Sequence, residues 1–135
     1  MTLFFTFPSY TGTATPGCCH FVEVVQGQES ATAVKEASPD VFTNYRIEGD
    51  LLNGKAHYSS YDHQTAIAYN NYGGGWLIQK HHSRGTLNAF AHTIPDTSNC
   101  PAESHNNWKY LDGGKWPDAG EGLKVKCRPC STGTK

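Results

Sequence analysis

The placement of five cysteines, Cys18, Cys19, Cys100, Cys127 and Cys130, constrains this chain more than any other feature. A bond between neighbours in sequence strains the peptide unit that joins them. Cys18 and Cys19 are therefore expected to take different partners, with Cys127 the first candidate. The remaining pairing stays open, and an odd count leaves one thiol free or bonded to another chain. Only 37% of the 135 residues are hydrophobic. So modest a core gains from cross-links that tie the ends together, and such bonds belong to an oxidising, extracellular compartment. Zinc is the competing reading, through Cys18-Cys19-His20 and Cys127-x-x-Cys130. The second pair has ligand spacing, but the first lacks the intervening residues of a zinc knuckle. Disulfides are preferred, and neither a metal nor another cofactor is expected.

Charged residues make up 17% of the chain, and Gly, Thr, Ser, Asn and Tyr fill the gap, as in loop-rich all-β domains. Alternating or β-branched runs predict strands at 20–25, 41–47, 48–52, 55–59, 64–70, 75–80, 86–93, 107–111 and 122–127. Asn53-Gly54 is a hairpin signal, because both central residues of a type I′ turn need positive φ. One helical turn is expected around Ala33–Ala37, ending before Pro39. The fold expected is an all-β, disulfide-linked β-sandwich or small barrel of about eight short strands over residues 18–130. An extended N-terminal strand and linker (1–17) precede it, and a tail (131–135) follows. Its core is expected to hold Val22, Val24, Tyr45, Ile47, Tyr58, Ile67, Tyr69, Trp76, Ile78, Trp108, Tyr110 and Val125.

Several residues fall into a familiar order: Cys18-Cys19, Asn53-Gly54-Lys55-x-x-Tyr58, Tyr69, Tyr72 and Gly75-Trp76-Leu77-Ile78. Ala89, Ala91, Pro95, Trp108-x-Tyr110, Trp116 and Leu123-x-Val125-x-Cys127 continue it. Over residues 17–128 the chain resembles a module of secreted and surface proteins from algae, protists and invertebrates. The resemblance implies an extracellular, disulfide-linked β-domain of no assigned catalytic activity, and supplies no ligand. Cys130 departs from that pattern.

A net charge of −1 gives no electrostatic reason to expect nucleic acid, and no apolar run is long enough to cross a bilayer. The first residues lack a positive n-region, and Thr6 and Pro8 interrupt the apolar run, so they are read as mature sequence rather than a signal peptide. Within MTLFFTF, Leu3, Phe5 and Phe7 share one strand face and Phe4 lies on the other. Such a stretch needs a ladder partner, or it is an aggregation hazard. The linker after it, with Pro8, Gly12, Pro16 and Gly17, is longer than a neighbouring strand of the same domain requires. The expectation is therefore a secreted or cell-surface structural subunit that donates Leu3–Phe7 to the next copy and propagates into a fibre. The alternative is a monomeric carbohydrate- or protein-binding adhesion module, with Trp116, Asp112 and Asp118 as its sugar-binding cluster. No Asn-x-Ser/Thr sequon is present, so Thr11, Thr13, Thr15, Ser131 and Thr132 are the candidate O-glycosylation positions.

Catalysis is not expected. Tyr61-Asp62-His63, Tyr69-Asn70-Asn71-Tyr72, Arg84 and His92-Thr93 resemble, in order, elements of small guanyl-specific ribonucleases. However, no Glu lies between His63 and Arg84 to act as base, and the spacings differ. The acids Asp50, Asp62, Asp96, Asp112, Asp118 and Glu121 are read as solvated turn residues, and His81-His82 as a solvated basic loop.

Overall fold

Tyr45, Tyr58, Ile67, Tyr69, Trp76 and Ile78 sit at alternate positions of successive strands, and all are buried on one face of a single sheet. The computed structural model that shows this describes residues 17–26, 36–37, 39–104 and 108–128. The expected donor strand (Leu3, Phe4, Phe5, Phe7), Thr11, Thr13, Thr15, Cys130, Ser131 and Thr132 lie outside the described residues. Of the expected helical turn, Glu36 and Ala37 are described and are helical.

Eight strands build the sheet: β1 (Phe21–Val25), β2 (Asn44–Leu52), β3 (Lys55–Ser60), β4 (Thr65–Asn70), β5 (Gly75–Lys80), β6 (Ala91–His92), β7 (Lys109–Tyr110) and β8 (Lys124–Cys127). All pairs are antiparallel, in the order β7-β6-β5-β4-β3-β2-β1-β8. Seven strands thus form a meander, and the last returns to lie beside the first. The sheet curls into a half-barrel around one core cluster to which both its ends contribute, through Tyr110 and Val125. No helix among the described residues is long and apolar enough to cross a membrane.

Asn53 and Gly54 both adopt positive φ, 55° and 81°, which is the geometry the β2–β3 hairpin demands. The two runs read as separate strands at 41–47 and 48–52 are one strand, β2, with a register shift between Ile47 and Leu51. The shift re-aims side chains there, and Ile47 is only half-buried.

The core is aromatic, so its polar tips need partners. The Tyr45 hydroxyl donates to the Val41 carbonyl at 2.9 Å and accepts from Thr65 Oγ1 at 3.0 Å. Tyr58 donates to the Cys19 carbonyl at 2.6 Å, and Tyr69 to the Asp96 carbonyl at 2.9 Å. Trp76 Nε1 donates to Ser98 Oγ at 3.1 Å. Each ring therefore drives burial and also tethers a loop.

Two disulfides close the structure, Cys18–Cys100 and Cys19–Cys127, with sequence separations of 82 and 108 residues. The adjacent cysteines diverge, as expected, and Cys127 is the partner of one of them. Because Cys18, Cys19 and Cys127 are all consumed, the zinc set is not assembled. Among the described residues no group of three His, Cys, Asp or Glu side chains is arranged to hold a metal ion.

The two edges of the sheet differ. Beyond β7, residues 117–119 add a further backbone segment: Tyr110 N–H donates to Pro117 O at 3.1 Å, and Ala119 N–H to Trp108 O at 2.7 Å. At the other edge, Lys124, Lys126 and Arg128 turn their backbone groups towards β1, as the bond from Arg128 N–H to Phe21 O at 2.9 Å shows. The alternation of an antiparallel ladder then directs the N–H and C=O of Val125 and Cys127 outward. Among the described residues no strand pairs with that side.

Two outcomes are expected. Replacing Cys18 and Cys100 together by Ala should lower urea-measured stability by about 2–5 kcal/mol, because a closed loop that long restricts the unfolded chain strongly. A Cβ on Gly75 would lie 2.7 Å from the Ile94 Cα, so Gly75→Ala should cost about 1–3 kcal/mol in the same measurement.

Candidate functional site

The outer face of the sheet carries the chemistry. Ala66, Ala68, Leu77 and Gln79 point away from the core yet are buried, because residues 81–90 fold across them. Gln79 Nε2 donates to the carbonyls of Asn88 at 2.7 Å and Thr86 at 3.3 Å, and Asn70 Nδ2 to Thr86 O at 3.1 Å. These bonds explain why the strand expected over 86–93 is only Ala91–His92. The carbonyls of Thr86 and Asn88 accept from side chains of the sheet face instead of from a neighbouring strand. His81–Ser83, read as part of a solvated loop, is a single 3₁₀ turn that begins this cover.

Beneath that turn, Glu48 and Asp50 of β2 meet His57 and Ser59 of β3. His57 is 3% exposed; its Nε2 lies 2.9 Å from Asp50 Oδ1, and its Nδ1 is buried without a hydrogen-bond partner. Ser59 donates its only hydroxyl proton to Glu48. His81 Nε2, 3.1 Å from Ser59 Oγ, must therefore be the donor in that contact. A nucleophilic serine needs the opposite polarity, with imidazole accepting. Ser59 is also 2% exposed, so the chain Glu48–Ser59–His81 anchors the turn rather than presenting a nucleophile. Arg84 Nε closes the turn on His81 O at 3.0 Å. His82 lines cavities on both sides of it, one of about 310 Å³ shared with Asp50, His57 and Arg84, and one of about 370 Å³ shared with His63 and Lys80. Sequence reasoning missed this cluster because His81 and His82 gave no signal beyond charge.

The residues resembling a ribonuclease do not converge. His63 packs edge-on against His81 at 5.4 Å, whereas His92 packs edge-on against Trp116 at 4.7 Å. Tyr69 is a core residue, Asn70 holds Thr86, and Thr93 Oγ1 accepts from Trp76 N–H.

The expected sugar cluster is partly assembled. Trp116 is 37% exposed, in contrast to Trp76 at 0% and Trp108 at 4%. Asp118 Oδ1 accepts from Lys109 Nζ at 2.9 Å, and Asp112 instead closes a tight turn, its N–H donating to Lys115 O. Register places the rest. Leu111 lies opposite Phe90 on β6's side, and the bridges Lys109↔Asp118 and Asp112↔Lys115 put Leu111 opposite Trp116 on the other. The outer face thus brings Leu111 beside Trp116, and a polar row His92–Lys109–Asp118 crosses three chain segments. Phe90 N–H donates to Ile78 O, which also faces Ala91, and the Phe90 side chain packs against the core cluster instead. The polar row spans two strand spacings, about 10 Å. Ile94 N–H donates to His92 Nδ1 at 3.0 Å, so neutral His92 carries its proton on Nε2. Phe90 and Leu111 line a groove of about 330 Å³ together with Lys80, His82 and Asn88. His92 and Lys109 were absent from the expected cluster, since only pairing across strands reveals them.

Acid should weaken the fold. Burial, reinforced by Arg84 and His63, holds His81 below the ordinary imidazole value, and burial with Lys109 nearby does the same to His92. Below about pH 6.5 the unfolded chain therefore binds protons that the native state does not, and stability falls as pH drops. The His57 hydrogen bond lowers the pKa of Asp50, which adds a further loss only once pH falls into the carboxylate range. The urea midpoint should decrease between pH 7.5 and 5.5. His81→Gln, which keeps an N–H donor for Ser59, should flatten that slope; an unchanged slope would show that His81 does not titrate differently on unfolding. No protein-family model matches the chain, and neither a curated protein nor a solved structure matches it.

Proposed function

We propose that the protein is an extracellular structural subunit that self-associates head to tail, laying Leu3–Phe7 along the β8 edge of a neighbouring copy. The observation that carries this reading is the inequality of the two edges. Residues 117–119 close one side of the sheet, while Val125 and Cys127 direct backbone donors and acceptors outward on the other. An edge of this kind is a template for β-augmentation, in which main-chain bonds supply affinity.

Charge selects the partner. Lys124 and Lys126 stand on β8, so two copies of this edge meeting each other would oppose like charges. Residues 2–7, TLFFTF, carry no charge and add only apolar and hydroxyl groups. The favoured contact therefore joins unlike surfaces, and a heterologous contact propagates unless rotation closes a ring. Residues 8–17 reach up to about 33 Å when extended, whereas a hairpin back to an adjacent strand needs only about 2–5 residues. The two disulfides fit a subunit that works in an oxidising medium.

Deleting residues 1–10 should leave a folded monomer that forms no long particles by light scattering or negative-stain microscopy. A synthetic peptide of residues 1–10 should bind that monomer and should compete with assembly of the intact protein. If the intact protein is monomeric under non-reducing conditions, and the deletion lowers its Tm without changing its size, the segment belongs to its own domain and the reading is wrong.

A further inference from the structure

We propose that Cys19, Cys127 and Cys130 form a thiol–disulfide exchange site, in which the Cys130 thiolate displaces Cys19 from Cys127 and unpins the last strand of the sheet. The chemistry lies within one chain and does not depend on how copies associate.

The two disulfides differ in exposure. Cys18 and Cys100 are 7% and 3% exposed, and both belong to the core cluster. Cys127 is exposed at the end of β8, and its partner Cys19 is half-buried. Buried disulfides are out of reach of an attacking thiolate, whereas exposed ones are the labile ones. The pairing of four cysteines leaves Cys130 as the odd one, and only Arg128 and Pro129 separate it from Cys127. Three steps of chain reach at most about 11 Å, so a bend over two residues is enough to bring two Cα atoms within the roughly 4.4–6.8 Å that a disulfide needs. Charge favours the attack as well. From Lys124 onward the sequence contains no acid, and Lys124, Lys126 and Arg128 flank Cys127; register sets Glu23 of β1 against Lys126. Excess positive charge stabilises the thiolate, which is the nucleophilic form.

The step balances within the chain. The Cys130 thiol gives its proton to solvent, and the thiolate attacks Cys127 Sγ. A Cys127–Cys130 bond forms, the Cys19–Cys127 bond breaks, and Cys19 leaves as a thiolate that takes a proton back. One disulfide and one thiol stand on each side, so no oxidant or reductant is consumed. The consequence falls on β8. Among the described residues that strand pairs with β1 alone, over four positions from Val22–Cys127 to Val25–Lys124. After exchange, that ladder and the buried side chain of Val125 are left to hold it. The site thus switches the final strand between a covalent and a noncovalent hold, while Cys18–Cys100 keeps the rest of the domain closed.

Peptide mapping reads the exchange directly. Trypsin, which cuts after Lys and Arg but not at Arg128-Pro129, places all five cysteines in fragments 1–35, 85–109 and 127–135. In the pairing described here these three fragments are joined, and Cys130 is free. The intact protein, incubated without reductant and then trapped with N-ethylmaleimide, should release a fraction of fragment 127–135 on its own, internally bonded, with maleimide on Cys19. Cys130→Ser should lower the labelling of Cys19 about tenfold or more, because the attacking thiol would then have to come from other, far more dilute molecules. Cys18–Cys100 should stay closed in both proteins. The proposal is overturned if fragment 127–135 never leaves the joined set, if Cys19 labels equally in the Cys130→Ser variant, or if Cys18–Cys100 opens as readily. It is also overturned if Cys130 is found bonded to a second chain, since no attacking thiol would then be present.

Discussion

Cys18 and Cys19 form the point on which the structure turns. One holds the loop at Cys100 and the other the end of the last strand at Cys127, so three distant regions meet at one dipeptide. Among the described residues β8 pairs with β1 alone, and the loop at Cys100 leads through Pro101–Glu103 towards β7. Without that junction, placing the final strand beside the first would require closing a loop of about a hundred residues by noncovalent contacts alone, at an entropic cost that few apolar side chains are present to offset. Tyr58 reinforces the point from within, donating from the middle of the sheet to the Cys19 carbonyl.

Around that junction the sheet works on two faces of different character. The inner face is aromatic, and the polar tips of Tyr45, Tyr58, Tyr69 and Trp76 are each partnered by backbone or by a serine. The outer face is buried too, though by polar means: Gln79 and Asn70 hold residues 86–88 by their carbonyls, and Glu48, Ser59 and His81 hold the preceding turn. Hydrogen bonds contribute less per contact than apolar burial and depend more on protonation. The layer most exposed to solution conditions is thus the layer beside the groove and cavities.

Much of the inner face was legible in the sequence because strand burial has a local period of two. Val22, Val24, Tyr58, Ile67, Trp76 and Ile78 were read correctly from alternation, and Asn53-Gly54 from the positive φ that its turn requires. Ile47 packs against the core cluster but is only half-buried, and the register shift that follows it is a distortion no periodicity reveals. The outer layer was illegible for a different reason. Gln79 and His57 are polar and alternate with core residues, and only the fold of a segment distant in sequence buries them. Trp116 is the exposed tryptophan, but the neighbours expected for it follow closeness in sequence. Cross-strand register supplied His92 and Lys109 in place of Asp112.

The Cys19–Cys127 bond has a mechanical corollary. Cys19 lies two residues before the first strand, and Cys127 is the last residue of the final one. A pull between those two points travels through Cys19 and the sulfur atoms to Cys127, a path only a few residues long. The ladder hydrogen bonds lie outside that circuit and carry almost none of the load. A domain wired in this way can be stretched as a link in a chain while its sheet remains slack.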